Sequence, residues 1–372
     1  MHAIAHHCLD VAACASILLR NFPSPVAVPP SALVALITCH DIGKFSRTFQ
    51  AKNESLWPAS LGPYRTPPAG YPHDDTGFLL LSGPLADRLA PLFATWRTES
   101  ARAPLLRAIA GHHGRPPCED YPDLPPLVAG PICIANARAF LDTAFAVIAP
   151  PPLPPLAASE RNRLAWFLAG LVVAADWIGS ARRWFPLVRA TECADLALYF
   201  RETALPQAER AVSACGLVPC PVAQITALRS LFPAIDTPRP LQTWAASVAL
   251  PGGPALFVIE DATGAGKTEA AVLLAHRLMA SGRADGLFFA LPTMATANAM
   301  YDRLAAAYER MFAPGARRPS LVLAHGRRAL NPHFTESILD GASEPGTMPP
   351  EPADQNAGAQ CTAWIADDRR KV

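Results

Sequence analysis

The sequence has little of several features that mark particular protein classes. Its nine cysteines include no Cys-x-x-Cys pair, which argues against a zinc module and a disulfide framework and favours a reducing cytoplasm. The longest apolar run, residues 164–175, is too short to span a bilayer, and no signal-peptide pattern follows Met1. The net charge is only +1, so no overall field attracts nucleic acid. We therefore expect a cytoplasmic protein with no membrane segment, whose function depends on local sites.

Residues 1–215 show helical periodicity. Apolar residues recur at three- and four-residue steps between proline-rich breaks, which predicts an all-α domain. The predicted helical segments are 9–19, 32–37, 78–93, 105–109, 132–147 and 164–178.

The pattern changes after a proline-containing linker predicted at 216–240. Short apolar runs at 255–260, 286–291 and 320–324 alternate with helical patterns at 268–281 and 295–311. This alternation predicts buried parallel strands in an α/β domain over residues 241–372. The expected fold class is multidomain: an all-α domain followed by a partial α/β domain.

Histidine and aspartate recur in the first part with spacings that suit a metal centre. The constellation is His7, Asp10, His40, Asp41, His73, His112, His113 and Asp176. Neutral imidazole and carboxylate are ligands that borderline transition metals prefer. Neighbouring residues on a helix point about 100° apart, so the pair His40-Asp41 can serve two ions, as can His112-His113. Two such ions can activate a water and neutralise charge on a phosphodiester.

A glycine-rich segment, residues 261–268 (DATGAGKT), follows a predicted strand and opens a predicted helix, as a phosphate-binding loop requires. Its candidate nucleotide-binding residues are Thr263, Gly264, Ala265, Gly266, Lys267 and Thr268. We expect Lys267 to meet the β- and γ-phosphates of ATP and Thr268 to bind Mg²⁺. Asp261 replaces the usual Gly or Ala at the first position and adds negative charge beside a triphosphate, which lowers the expected affinity.

The motifs in this order resemble the HD domain of the type I CRISPR-associated nuclease-helicase family, closest to its I-E branch. The resemblance rests on HxxD at 7–10, HDIGKF at 40–45, His73, GHHG at 111–114 and ADW-x-x-S at 175–180. Farther along, Gln242 stands where superfamily 2 helicases carry a glutamine that reads adenine, and residues 291–298 resemble the next helicase motif. Taken singly, either segment could be an ordinary turn or helix cap.

The resemblance implies an HD domain followed by a RecA-like (P-loop) helicase domain and assigns roles to residues. The implied metal ligands are His7, His40, Asp41, His73, His112, His113 and Asp176. Lys44 would contact a substrate phosphate and Ser180 would help to place it, so both join the catalytic set. Asp10 would orient a histidine. His6 competes with His7 for the first ligand position, and the HxxD spacing selects His7.

The resemblance also implies a substrate and partners. Single-stranded DNA, displaced when an RNA-guided surveillance complex opens its target, would be cut by metal-dependent hydrolysis, and ATP-driven 3′→5′ translocation would feed it in the intact family. We expect a monomer with two divalent transition metals (Fe, Ni, Co or Mn), plus ATP and Mg²⁺ at the loop. The sequence lacks an acidic motif and a second RecA-like domain, so we expect no efficient ATP hydrolysis or unwinding; Asp367 and Asp368 are interpreted as a solvated turn.

Two alternative functions are left open by the residues. HD domains also hydrolyse nucleotides and cyclic dinucleotides. A preference of this protein for mononucleotides over oligonucleotides would indicate that alternative. A non-catalytic remnant would only bind DNA, ATP or a partner, and poor solubility of the full chain beside a soluble 1–215 fragment would favour it. Whether Met1 and residue 372 are natural ends is also left open.

Overall fold

The computed structural model describes residues 3–66, 70–96, 98–117, 124–188, 194–225, 227–314, 319–324, 331–333, 338–339 and 361–362. The chain divides between Ala214 and Cys215 into two compact units. The predicted turn at Asp367 and Asp368 lies outside the described residues.

The first unit is helical, as the spacing predicted. Its α-helices are α1 (Ile4–Asn21), α2 (Pro30–Thr38), α3 (Arg47–Gln50), α4 (His73–Ser82), α5 (Ala86–Leu89), α6 (Glu99–Ala110), α7 (Pro131–Ile148), α8 (Ala158–Gly179), α9 (Leu196–Tyr199) and α10 (Leu205–Ala214). Short 3₁₀ helices occupy Ile42–Phe45, Glu54–Leu56 and Ala59–Leu61, and a π turn, Phe200–Ala204, joins α9 to α10. The helix predicted over 78–93 is wrong in extent: it breaks after Ser82 because Pro84 has no N–H to donate.

Helix α1 is the central element of this unit and packs against α2, α8 and α10. Leu9, Val11 and Leu18 on it are at most 1% exposed. The crossing with α8 is close because Gly179 has no side chain: a Cβ there would lie 2.9 Å from Val11 Cγ2. Burying each large aliphatic side chain contributes roughly 1.5–3 kcal/mol, so the packing of α1 stabilises this unit.

Helix α7 is the one described helix that is long and apolar enough to cross a membrane, judged by length and composition. Core helices of soluble proteins meet the same criteria. Here α7 packs against α2 and α5 and buries Phe140, Leu141 and Ala144. The length and apolar composition of α7 are therefore weak evidence for a membrane span.

The second unit contains α11 (Leu228–Leu231), α12 (Pro240–Ser247), α13 (Lys267–Ala280) and α14 (Met294–Arg310), with parallel two-residue strands β1 (Ile338–Leu339) and β2 (Cys361–Thr362). Its main core joins α13 residues such as Leu273 and Leu274 to Leu228 and Leu231, which come from the segment predicted as a linker.

The three apolar runs predicted as buried parallel strands are not strands of a sheet in the described residues. In the first two runs Leu256, Val258 and Phe288 are 89%, 80% and 83% exposed, whereas Leu323 in the third run is 4% exposed. Apolar runs specify strand propensity, but a parallel strand is buried only when neighbours pair along it and helices cover both faces. Those long-range pairings are lacking among the described residues, so the predicted RecA-like sheet stays a prediction.

Candidate metal centre

The predicted ligands of the first unit converge from the ends of five helical segments. His7 lies in the first turn of α1, and His40 and Asp41 follow α2. His73 is the first residue of α4. The others are His112 and His113, directly after α6, and Asp176 in the last turn of α8. Fixed helix ends thus aim polar groups at one point.

One set of ligand atoms is formed by His7, His40, Asp41 and Asp176. His7 Nε2 lies 2.9 Å from Asp41 Oδ2, 3.3 Å from Asp176 Oδ1 and 3.4 Å from His40 Nε2. His40 Nε2 lies 3.3 Å from Asp41 Oδ2. We refer to these four residues as the first ligand set.

A second set is formed around the other oxygen of Asp41. Asp41 Oδ1 lies 3.5 Å from His73 Nε2 and 3.6 Å from His112 Nε2, and His73 Nε2 lies 3.0 Å from His113 Nε2. Ligand atoms of His73, His112 and His113 all lie within 4.8 Å of one another. Asp41 therefore stands between this second ligand set and the first, with one oxygen toward each.

Backbone carbonyls orient two of the buried imidazoles. His40 Nδ1 lies 2.9 Å from the carbonyl oxygen of Ile37, and His112 Nδ1 lies 3.0 Å from that of Ile109. If each Nδ1 carries the proton and donates a hydrogen bond to that carbonyl, each Nε2 is unprotonated and its lone pair faces the cluster. Carbonyls and carboxylates fix metal-ligating histidines in this way.

Gly43 explains the glycine of the HDIGK motif. A Cβ at this position would lie 1.9 Å from the carbonyl oxygen of His73 and 2.7 Å from the amide nitrogen of Gly77. Glycine therefore allows the 3₁₀ turn that carries Asp41 and Lys44 to touch the start of α4. That contact brings His73 close to Asp41.

The two ligand sets differ in how they hold protons. Burial lowers the pKa of His7, but hydrogen bonds with Asp176 and Asp41 outweigh it and raise this pKa to about 9. Burial lowers the pKa of His73 to about 3 and, with the charge of His40, that of His112 to about 4. The first set therefore holds a proton at neutral pH, whereas these two imidazoles of the second set are neutral.

The carboxylates of the first set are held ionised. Burial by itself would raise the pKa of Asp41, but the charge and hydrogen bond of His40, the hydrogen bond of His7 and the Lys44 ammonium hold it well below its usual range. Burial would likewise raise the pKa of Asp176. The hydrogen bond with His7 and the charge of His40 outweigh burial, so this pKa is also lowered. Both carboxylates are therefore negative at neutral pH.

Unpartnered buried atoms show that these residues fit a metal. Asp41 Oδ1 and His112 Nε2 are buried and make no hydrogen bond within the described residues. Such atoms are costly unless a cation or a proton satisfies them. The donor set, imidazole nitrogen with carboxylate oxygen, is the one that divalent transition metals prefer.

The remaining first-unit predictions fall beside this cluster. Lys44 pairs through Nζ with Asp41 Oδ2 and is about one fifth exposed. Burial would lower the pKa of Lys44, but the charge of Asp41 outweighs burial and raises it. Ser180 caps the end of α8 and its Oγ donates to Asp176 Oδ1 at 3.0 Å. Asp10 accepts a hydrogen bond at 2.9 Å from the hydroxyl of Tyr199, and His6 stacks on the ring of the same tyrosine. His7, rather than His6, therefore faces the ligand atoms.

Sequence reasoning missed Asp74, which follows the supposedly lone His73. Asp74 Oδ1 lies 3.0 Å from His73 Nε2 and 4.0 Å from His113 Nε2, and burial raises the pKa of its carboxyl. The signal was present, because His73-Asp74 repeats the dipeptide His40-Asp41. Tyr199 was also missed, since nothing in the local sequence connects it to Asp10.

In the second unit, the structure forms a glycine-rich turn at the predicted phosphate loop. Gly264 and Gly266 adopt positive φ angles of 80° and 88°, and α13 begins at Lys267. Lys267 Nζ donates to the carbonyls of Asp261 and Ala262 at 2.6 and 2.8 Å. The buried Gln242 abuts Gly266, where a Cβ would lie 2.2 Å from Gln242 Nε2. The structure thus brings the predicted glutamine against the predicted loop, while Thr293 caps α14 as an ordinary helix cap does.

Comparison with known proteins agrees with the geometry of the first unit. Residues 1–185 match the family model "Cas3, HD domain". The chain is 29% identical to the CRISPR-associated endonuclease/helicase Cas3 of Escherichia coli (strain K12) and 30% identical to that of Thermus thermophilus, in each case over all of this chain. It covers 44% and 40% of the lengths of these relatives.

A solved structure, "Crystal structure of T. fusca Cas3-AMPPNP", is similar across both units. It has a TM-score of 0.74 and 26% sequence identity, and the match covers 99% of this chain and 40% of that one. Residues 1–185 therefore belong to the Cas3 HD-domain family, and the chain as a whole is similar to the N-terminal portion of the larger Cas3 nuclease/helicases.

Proposed function

We propose that the first unit is a metal-dependent nuclease that hydrolyses single-stranded DNA in CRISPR interference, endonucleolytically, exonucleolytically or both. The observation that carries the proposal is the position of Asp41, with one oxygen toward His7 and His40 and the other toward His73 and His112. Two divalent ions in such a centre (Fe, Ni, Co or Mn) supply water activation and charge neutralisation for phosphodiester hydrolysis.

The surrounding residues have distinct roles in this proposal. Ser180 holds the Asp176 carboxylate in its orientation through the 3.0 Å hydrogen bond. Lys44 is more exposed than the buried Asp41, so its ammonium can turn toward a substrate phosphate at the open side of the site. A lysine acts there as a point charge that attracts and positions the phosphate.

We further propose that the second unit binds ATP with Mg²⁺ through residues 263–268, with Gln242 near the adenine. Support comes from the loop's two positive-φ glycines at the start of α13 and from the similar T. fusca Cas3-AMPPNP structure. A fluorescent ATP analogue titrated into the full chain should bind, and Lys267→Ala should weaken binding at least about tenfold. Equal affinity in the variant would contradict this assignment.

The proposed partner is an RNA-guided CRISPR surveillance complex, and the proposed form is a cytoplasmic monomer. The CRISPR-associated relatives, of which this chain covers less than half, support the partner. The cytoplasmic location rests on the cysteine usage of the sequence, in which no Cys-x-x-Cys pair occurs. Co-migration of the chain with such a complex on target DNA would test the partner.

The nuclease is tested by degradation of an end-labelled single-stranded oligonucleotide. Metal-stripped protein should be inactive, and Mn²⁺, Co²⁺, Ni²⁺ or Fe²⁺ should restore cleavage in the unsubstituted protein and not in Asp41→Ala. A mononucleotide or cyclic dinucleotide turned over faster than the oligonucleotide would favour the phosphohydrolase alternative. A folded protein inactive with every metal would favour the non-catalytic one.

A further inference from the structure

The second ligand set has less negative charge than the first. The first set contains two carboxylates, Asp41 and Asp176, whereas His73, His112 and His113 are accompanied only by the shared Asp41. A divalent cation bound mainly by neutral imidazoles in a buried site is poorly neutralised. A further carboxylate on that side would balance the two halves.

Asp74 stands where such a carboxylate would be. Its Oδ1 lies 3.0 Å from His73 Nε2 and 4.0 Å from His113 Nε2. Metal–ligand bonds of about 2.1 Å place neighbouring ligand atoms of one ion roughly 3.0–3.4 Å apart and opposite ones about 4.2 Å apart. Both distances from Asp74 therefore suit atoms that share one ion.

The surroundings of Asp74 Oδ1 support the same assignment. The atom is buried and makes no hydrogen bond within the described residues, as is also true of Asp41 Oδ1 and His112 Nε2 in this cluster. Asp74 lies in the first turn of α4, next to a residue already in the set, so helix geometry fixes where it points. A cation held between His73 and His113 would satisfy this oxygen.

We propose that Asp74 is a carboxylate ligand of the cation held by His73, His112 and His113, an inference that rests on the proposed metal centre. The distinguishing variants are Asp74→Asn, which keeps an oxygen that can accept a hydrogen bond from His73 but loses the charge, and Asp74→Glu, which keeps the charge. Asp75→Asn is the matched control, because Asp75 occupies the same first turn and has the same effect on the helix N-terminus.

The experiment measures Mn²⁺ and Co²⁺ binding to the metal-stripped full chain by calorimetry and elemental analysis, with thermal unfolding of each variant as a folding check. Unsubstituted protein, Asp75→Asn and Asp74→Glu should bind two ions. Asp74→Asn should bind one ion normally and the other at least about 100-fold more weakly, beyond the usual effect of merely orienting a ligand. Its Co²⁺ visible absorption should change as well, because one ligand is lost.

Two ions bound by Asp74→Asn with unchanged affinity and an unchanged Co²⁺ spectrum would overturn the assignment and leave the metal centre standing. No ion bound by the unsubstituted protein would overturn the metal centre itself. If Asp74→Asn fails to fold, retention of two ions by Asp74→Glu supports the assignment, and loss of the second ion in that variant, folded, contradicts it.

Discussion

The two motif-bearing regions of this chain have contrasting surroundings. In the first unit, His40, Asp41 and His112 are at most 2% exposed and lie against one another at the ends of packed helices. In the second unit, the predicted strands on either side of the phosphate loop leave Leu256 and Phe288 more than 80% exposed. A site built on helix ends requires only that a few helices pack, whereas a loop between parallel strands also depends on pairing across the sheet.

The largest expected difference between the regions is in DNA cleavage. His112→Ala removes a buried imidazole from the second ligand set, and we expect cleavage of the labelled oligonucleotide to fall by at least about 100-fold. Lys267→Ala alters the phosphate loop and should leave metal-restored cleavage within about twofold. Equal losses in both variants would show that cleavage depends on the nucleotide loop, contrary to this account.

Gly43→Ala should disturb the metal centre through packing alone. The added Cβ has no space beside the His73 carbonyl, so the free energy of unfolding should fall by about 1–3 kcal/mol or more, and metal affinity should fall with it. Gly170→Ala is the control: it lies exposed on α8 with nothing within 4 Å of the added carbon, and should stabilise by up to about 1 kcal/mol. Thermal unfolding compares the stabilities of the two variants. Equal changes in stability for Gly43→Ala and Gly170→Ala would contradict the close approach at Gly43.

Metal binding should separate the two ligand sets by pH. His7 has a pKa of about 9 and must lose its proton to bind a cation, so affinity at the first set should rise about 30-fold from pH 6.5 to 8.0. His73 and His112 have pKa values of about 3 and 4, so affinity at the second set should change little over this range. Calorimetric Mn²⁺ titrations at each pH measure both, and parallel pH dependences would contradict the assignment.

The same shifts predict opposite effects on metal-free stability. The raised pKa of His7 contributes stability that is complete below its usual pKa of 6.5 and is lost as pH rises through about 9. The lowered pKa values of His73 and His112 contribute stability present above 6.5 and lost as pH falls toward 4. Chelator-treated protein should therefore unfold most readily at both extremes, and a stability independent of pH between 4 and 9 would contradict this.

The smallest effect is expected at the exposed apolar run. Leu256→Ser should change the free energy of unfolding by less than about 0.5 kcal/mol, because the side chain is 89% exposed. Leu273→Ala, in the core of the same unit, should cost about 2–5 kcal/mol. A large loss for Leu256→Ser would indicate that this run is buried as a strand after all.

Much of the first unit could be predicted from the sequence because its signals are local. Helix periods, the HxxD spacing and the HDIGK motif predicted the helical fold and a cluster of His7, His40 and Asp41. Asp74 was missed because the motif pattern contains only His73 at this point, although Asp74 is adjacent to it in the first turn of α4. Tyr199 was missed because its contact with Asp10 joins positions 189 residues apart.

The second unit was less predictable because its expected order depends on long-range pairing. The helices α13 and α14 match the predicted segments within one residue at each end, since their periodicity is local. The apolar runs at 255–260 and 286–291, before and after α13, carried strand propensity without information about their neighbours. Because these runs are exposed in the structure, the apolar pattern alone was not sufficient to predict buried strands.

The most direct test of the central claim is electron paramagnetic resonance of the protein loaded with two equivalents of Mn²⁺. Because Asp41 presents one oxygen to each ligand set, we predict a spin-coupled dinuclear signal in the unsubstituted protein that is absent in Asp41→Ala. Two fully bound ions that give only the six-line signal of isolated Mn²⁺ would show that no carboxylate bridges them, and would contradict the account.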